Sequence, residues 1–357
     1  MYAAINCVVV TLVPKTHGAD CMKDLRPIAC CTTVYKIISK ILTNRLSKVI
    51  TEVIDISQTA FLPGRVIHDN ILMAFELLRG YSRKHIYPRC TIQMDIRKAY
   101  DTVEWNALAT ILKEMNFPGK FVDWTMECVS TASFRYSING QLTDLLRARR
   151  GLRQGDPISP LLFVVVMEYL HRGLANLSTV QQFKFHPRCK KLGITNISFA
   201  DDIILFARGD TASVCNLMQV FNLFSQATGL YVQPSKFHVY FGGVQQRIKQ
   251  EIIQLTGFGE GSIPFKYLGV PLASKKLSSQ HCQPLIEKIT GRIKHWTSHL
   301  LSYAGRCQLI KSVIFAISTY WLQVLPLPKQ VLQRIDSICR SFLWCGSDII
   351  SRKAPIA

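Results

Sequence analysis

Two aspartates stand side by side in "NISFADDIILFAR", residues 196 to 208, between two short runs of apolar residues. Asn196 to Ala200 and Ile203 to Ala207 alternate or cluster as half-buried strands do, so Asp201 and Asp202 fall where the chain turns between them. Whatever fold the chain adopts has to bury both runs and still present two carboxylates together. Like charges held that close resist joint ionisation unless a cation neutralises them, which points to a divalent metal. The competing reading is a surface turn, where Asp is common because its side chain makes local hydrogen bonds.

A third carboxylate comes from Asp95, at the end of the short strand "TIQMD". Three acidic groups suit two Mg²⁺ ions, with Mn²⁺ as an alternative. Such a pair binds carboxylate and phosphate oxygens, activates an attacking hydroxyl and stabilises the departing oxygen, which is the chemistry of nucleotidyl transfer. Taken singly, Asp95 reads as readily as a helix N-cap or as an ion-pair partner of Arg97 or Lys98. In "GLRQGDPISPLLF", residues 151 to 163, Gly151, Gln154 and Gly155 precede a helix start, a place where backbone can approach a phosphate or base closely. An ordinary loop into a buried helix has the same pattern.

Around these segments the expected elements are mixed. Val34 to Ile50 has helical spacing, with Val34, Ile37, Ile38, Ile41, Leu42, Leu46, Val49 and Ile50 as its apolar positions and lysines elsewhere. Helices are also expected over His68 to Leu78, after Asp101 as far as Pro118-Gly119, from Asp156-Pro157 through the apolar "ISPLLFVVVMEYL", and over Thr211 to Thr228 with Gly229 as its stop. Asn139-Gly140 signals a hairpin. From Ile263 onward the pattern is helical and basic. The class is α+β, a sheet with helices on one side, and without an obvious linker the parts are expected to pack as one body.

The 357 residues carry 43 Lys plus Arg against 23 Asp plus Glu, a net charge of +20. A polyanionic partner follows, and nucleic acid fits better than membrane because no apolar run approaches the length of a spanning helix. The apolar run Cys7 to Val13 lacks a basic segment before it and is closed by Pro14-Lys15, so an intracellular chain is expected. The 12 cysteines show no zinc spacing and are expected mostly as buried thiols.

The ordered set "LRPIACCTTVYKIISKILTNRL", "QTAFLPGRVIHDNILMAFELL", "MDIRKAYDTVEW", "SINGQLTDLLRARRGLRQGDPISPLLF", "ISFADDIILFA" and "YLGVPL" closely resembles reverse transcriptases of LINE-type retrotransposons, those without long terminal repeats, with plant members nearest. The resemblance runs from about residue 6 to about residue 346. It implies a right-hand polymerase fold: partial fingers and the start of the palm over 1–94, palm with part of the fingers over 95–262, and a helical thumb over 263–357. It implies that Asp95, Asp201 and Asp202 bind two Mg²⁺ ions and that Tyr100 is the steric gate against a ribose 2′-hydroxyl. Gln154 and Gly155 match the nucleotide-contacting loop, Lys15 and Arg26 match basic residues that hold the triphosphate, and Lys236 matches a lysine that protonates pyrophosphate. In the thumb, Arg292, Lys294, Arg306 and Lys311 are the expected phosphate contacts.

The implied activity is RNA-directed DNA synthesis from dNTPs on a primer 3′-hydroxyl, with RNA template and DNA primer as partners and no membrane. Residence is expected in the nucleus after cytoplasmic synthesis. Family members carry a further fingers segment upstream of "NCVVVTLVPK", and full elements an endonuclease. The expectation is therefore of truncated fingers, with an endonuclease or the missing segment supplied in trans. Two other readings remain at this point: an inactive remnant that only binds nucleic acid, and a metal-dependent nuclease on the same carboxylates.

Overall fold

Apolar runs rich in β-branched residues pair into two five-stranded sheets in the computed structural model, which describes all residues except 16–20, 84, 97, 139, 233–236, 298–300, 348 and 351–357. The strands are β1 (Cys7–Pro14), β2 (Leu25–Cys30), β3 (Arg89–Asp95), β4 (Ser133–Ile138), β5 (Gln141–Leu142), β6 (Leu146–Arg147), β7 (Asn196–Phe199), β8 (Asp202–Arg208), β9 (His238–Gly242) and β10 (Gly259–Glu260). One sheet runs β2-β1-β4-β5 with β6 also on β4, and the other runs β10-β9-β3-β8-β7. In the second sheet β3 is central, antiparallel to both β8 and β9. Ile203 to Ala207 of β8 are buried without a break, so both faces of that strand are covered.

The helix Ser159–Ala175 is the apolar pillar of this unit, with Leu161 to Met167 all buried. It packs against the helices Trp105–Glu114 and Thr211–Thr228. The Thr211–Thr228 helix stops at the expected Gly229, φ +74°, and its start is capped by Asp210, whose side chain accepts from Ser213 N at 2.9 Å. The preceding helix ends at Glu114, with Asn116 left-handed at φ +59°, and a further helix at Gly119–Ser130, which starts after Pro118, was not legible in the sequence pattern. Ile138 pairs with Gln141 around the expected hairpin turn, although Asn139 itself lies outside the described residues.

Contacts divide the chain into two compact units: Met1–Ile67 with His85–Glu260, and His68–Lys84 with Gly261–Ala357. The second contains the hairpin β11 (Phe265–Tyr267) and β12 (Val270–Leu272), and the helices Gln283–Thr297, Tyr303–Leu309, Phe315–Leu322 and Lys329–Cys345. Residues 68–84 belong there because Gly80 N donates to Ser274 O at 2.9 Å and the His68 and Tyr320 rings lie 5.4 Å apart. Among the described residues no helix is long and apolar enough to cross a membrane. Cys31, Cys90, Cys128, Cys189 and Cys282 are buried thiols, whereas Cys21, Cys30, Cys215 and Cys345 are exposed.

Two sequence readings change. The helix expected over Val34 to Ile50 spans Thr33–Leu46, and it buries Tyr35, Ser39, Leu42, Thr43 and Leu46 while Val34, Ile37 and Ile41 are 52, 57 and 49% exposed. A buried carboxylate sets that rotation. Asp156 accepts the Tyr35 hydroxyl at 2.6 Å and the Ser39 hydroxyl, and pairs with Arg153 at 3.0 Å. Arg153 also lies 4.0 Å over the Tyr35 ring and donates to Asn6 Oδ1 and Cys128 O. The regular helix begins at Ser159, and Asp156 does more than cap its entrance: its Oδ1 accepts from Ile158 N at 3.3 Å, while the same carboxylate holds buried donors from the Thr33–Leu46 helix and from Arg153.

Candidate active site

The hairpin β7–β8 is as tight as the sequence implied. Phe199 pairs with Asp202, leaving Ala200 and Asp201 as the turn. Ala200 is left-handed, φ +55°, which is costly for a residue with a Cβ and which hairpin turns of two residues demand. On the other side of β8, Asp202 pairs with Asp95 at the end of β3. Opposed residues of antiparallel strands share a face, so one row across the sheet reads Phe199, Asp202, Asp95, with Asp201 at the adjacent turn. Asp202 is the first residue of β8 rather than part of the turn.

Among the described residues, no three His, Cys, Asp or Glu side chains already form a closed cluster for a metal ion. The donors nonetheless fit Mg²⁺. This ion takes hard oxygen ligands, and one or two carboxylates suffice when substrate phosphates and waters complete its octahedron. Asp95 and Asp202 supply that number.

Tyr100 lies in the short helix Ala99–Thr102, just beyond β3. Its ring stacks on Phe163 of the buried pillar, centroids 5.0 Å apart and planes at 18°. Burial, and behind it the Asp201 carboxylate, push its phenol well above the usual value, so the ring presents a neutral hydroxyl beside the acidic turn. The loop 151–155 docks directly against this element. Leu152 N donates to Tyr100 O at 2.6 Å, Gly151 N to Val103 O at 2.8 Å, and Trp105 Nε1 to Gly151 O at 2.8 Å. A side chain at Gly151 would start 2.7 Å from Asp101 O, so only glycine permits this approach.

The far end of the same loop docks on β2. Ala29 N donates to Gln154 O at 2.8 Å, and Gly155, φ +104°, passes so close that a Cβ would lie 2.9 Å from Ala29 O. Arg26 is on that strand, exposed, opposite Val13 in the register with β1. Lys15 follows the end of β1, exposed, its backbone N donating to Asp24 O at 2.8 Å. Between loop and strands lies a cavity of about 320 Å³, with Pro27, Ala29, Asp101, Arg150, Gly151 and Gln154 among its walls. The structure thus joins Tyr100, Gln154, Gly155 and the strand of Arg26 through one loop.

Lys236 lies outside the described residues; its neighbour Phe237 is buried and stacks on Phe258 at 4.6 Å. In the second unit, Arg292 and Lys294 are exposed on Gln283–Thr297, and Lys311 is exposed on the π-helical stretch Ile310–Ile314. Arg306 is half-buried against Gly346.

Sequence reasoning missed Gln58. Its side chain is fully buried, and its Oε1 accepts from Ala200 N and from Ala60 N, both at 3.0 Å. Gln58 opens the segment "QTAFLPGR" that carries the resemblance, but nothing in that segment's pattern signals a contact with Ala200.

Residues 13–272, more than half of the chain, match the family described as reverse transcriptase (RNA-dependent DNA polymerase). A transposon TX1 protein of 149 kDa from Xenopus laevis is 27% identical over 96% of this chain and 26% of its own length. The Pol polyprotein of the type-2 retrotransposable element R2DM from Drosophila melanogaster is 27% identical over 93% of this chain and 31% of its own. The chain thus spans between a quarter and a third of these relatives. The solved structure of telomerase from Candida tropicalis, in complex with the TWJ fragment of telomeric RNA, aligns with a TM-score of 0.53 at 14% identity, over 95% of this chain and 54% of that one. That likeness is one of fold, the right-hand polymerase architecture implied by the motifs. Divalent metal ions are general to such enzymes. With the acidic row, the glycine loop and the family match in agreement, the chain belongs to the reverse transcriptases, among relatives from retrotransposons without long terminal repeats.

Proposed function

We propose that this chain polymerises DNA on an RNA template, adding dNTPs to a primer 3′-hydroxyl. The observation that carries the reading is the register of Asp95 against Asp202 beside the turn at Asp201. Bound Mg²⁺ would supply Lewis acidity at the reacting oxygens. Asp95, Asp201 and Asp202 would hold it.

The other residues would hold the nucleotide. Tyr100, wedged on Phe163, is a rigid floor for the sugar, and a ring fixed in that way excludes a 2′-hydroxyl by contact. Gln154 and Gly155 line the approach to the base and phosphates, while Arg26 and Lys15 meet the triphosphate charge. Lys236 is placed in this scheme as donor of a proton to pyrophosphate. Arg292, Lys294, Arg306 and Lys311 would contact the template–primer backbone, where cationic side chains release condensed counterions. The net charge of +20 supports a polyanionic partner.

The test is primer extension on RNA with Mg²⁺ and dNTPs, comparing the parent with an Asp201→Asn, Asp202→Asn double variant. Incorporation by the parent alone is the expected result. Equal absence in both, with template–primer still bound, would remove polymerisation and leave nucleic-acid binding only.

A further inference from the structure

We propose that Gln58 is a positioning residue for the acidic hairpin, its buried side-chain carbonyl holding Ala200 in the left-handed turn that sets Asp201 and Asp202. The proposal rests on the polymerase reading for the consequence, but its geometry stands on its own. The main-chain N–H of Ala200 is the one immediately before the acidic pair, and it finds its acceptor in a side chain 142 positions earlier in sequence. A left-handed residue with a Cβ persists only where its surroundings over-determine it.

The support for Gln58 is itself rigid. Ser198 N donates to Ser57 O at 2.8 Å and Thr59 N to Ser198 O at 3.1 Å, so the segment around Gln58 runs as a parallel bridge along the outer edge of β7. The Arg65 guanidinium donates to the carbonyls of Ile54, Asp55 and Gln58, gathering the loop before that bridge into one conformation. Gln58 Oε1 then closes the segment on Ala60 N and the hairpin on Ala200 N with the same oxygen. Its amide nitrogen Nε2 is buried without a partner among the described residues. Burying that nitrogen is unfavourable, and what offsets the cost is the grip of Oε1 on the turn.

Support of a metal-binding residue by a neighbour that does not touch the metal has a recognisable signature. It changes metal affinity and turnover while leaving the binding of other ligands alone. Gln58→Met keeps the volume and removes the acceptor; Gln58→Glu restores an oxygen in place of Oε1. The experiment follows Mn²⁺ binding by electron paramagnetic resonance, template–primer binding by fluorescence anisotropy, and kcat and KM for dNTPs in primer extension. Gln58→Met is expected to weaken Mn²⁺ binding about tenfold or more and to lower kcat in proportion, with KM and template–primer affinity within about twofold of the parent, and Gln58→Glu to recover most of the loss. Parent-like Mn²⁺ binding and kcat in Gln58→Met would overturn the proposal. So would equal losses in Met and Glu variants that extend to template–primer binding, since that marks general damage. Should Gln58→Met fail to fold, Gln58→Asn, too short to reach Ala200, is read by the same criteria. If the parent binds Mn²⁺ without extending a primer, the polymerase reading falls and the Mn²⁺ comparison alone decides for or against Gln58.

Discussion

Asp95 and Asp202 are cross-strand partners, the last residue of β3 facing the first residue of β8. Neither strand carries the pair by itself; the register between them does. Asp95→Asn removes one of two facing carboxylates without changing the strand. It is expected to reduce primer extension about a thousandfold, the effect of losing several kcal/mol of metal-borne stabilisation, while template–primer binding measured by anisotropy stays close to the parent.

Tyr100 packs face to face on Phe163, so its ring cannot swing away from the sugar it would meet. Tyr100→Val is expected to raise incorporation of ribonucleotides relative to deoxyribonucleotides roughly tenfold or more, as loss of a steric contact usually does. Competition between the two nucleotide types in single-addition assays reads the ratio. An unchanged ratio would take the gate away from Tyr100.

Arg153 and Asp156 form a buried pair that also bonds Tyr35, Ser39, Asn6, Cys128 O and Ile158 N. Arg153→Met strands the Asp156 carboxylate and should cost about 3–5 kcal/mol, whereas Tyr35→Phe removes one hydrogen bond and should cost about 1 kcal/mol. Urea unfolding followed by circular dichroism measures both. Similar small losses in the two variants would show that the pair is not the keystone of this junction.

Gly151 has φ +90° and sits where a Cβ would meet Asp101 O at 2.7 Å. Gly151→Ala combines backbone strain with a main-chain clash, so a destabilisation of about 1–3 kcal/mol is expected, with the loop displaced from Tyr100. The kinetic sign is a raised KM for dNTPs in single-nucleotide extension. A KM equal to the parent's would detach this loop from nucleotide binding.

His186 is buried beside Arg89 and Arg188, and burial first, then these two cations, lower its pKa from 6.5 to about 3. The unfolded chain therefore takes up a proton below pH 6.5 that the folded chain refuses. Folded-state stability should fall as pH drops from about 6.5 towards about 3, and be independent of this group above that window. His186→Gln should flatten that acid limb in thermal melts recorded across the range. A limb of unchanged slope would assign the acid loss to carboxylates instead.

Local chemistry was enough to place several elements. The paired runs around Asp201 and Asp202, the helix from Thr211 capped by Asp210 and stopped by Gly229, and the apolar pillar after Pro157 are all set by neighbours within a turn or a hairpin. Periodicity and turn propensity act at that range. Asp156 shows what it leaves out: next to a proline it makes the local bond from Ile158 N, yet partners more than a hundred residues away also recruit it. The same carboxylate turned the Thr33–Leu46 helix so that Ser39 faces inward while Val34, Ile37 and Ile41 face outward.

The sequence by itself determined the family of the chain, the residue types at the acidic site and the glycines that let one loop approach the backbone, because each is carried by a contiguous motif. Only the tertiary structure decided that Asp95 meets Asp202, that Gln58 holds Ala200, and that the loop of Gln154 joins Tyr100 to the strand of Arg26. Those contacts join segments distant along the chain. They arise from strand register and from buried polar groups seeking partners, and neither leaves a periodic trace in a single sequence.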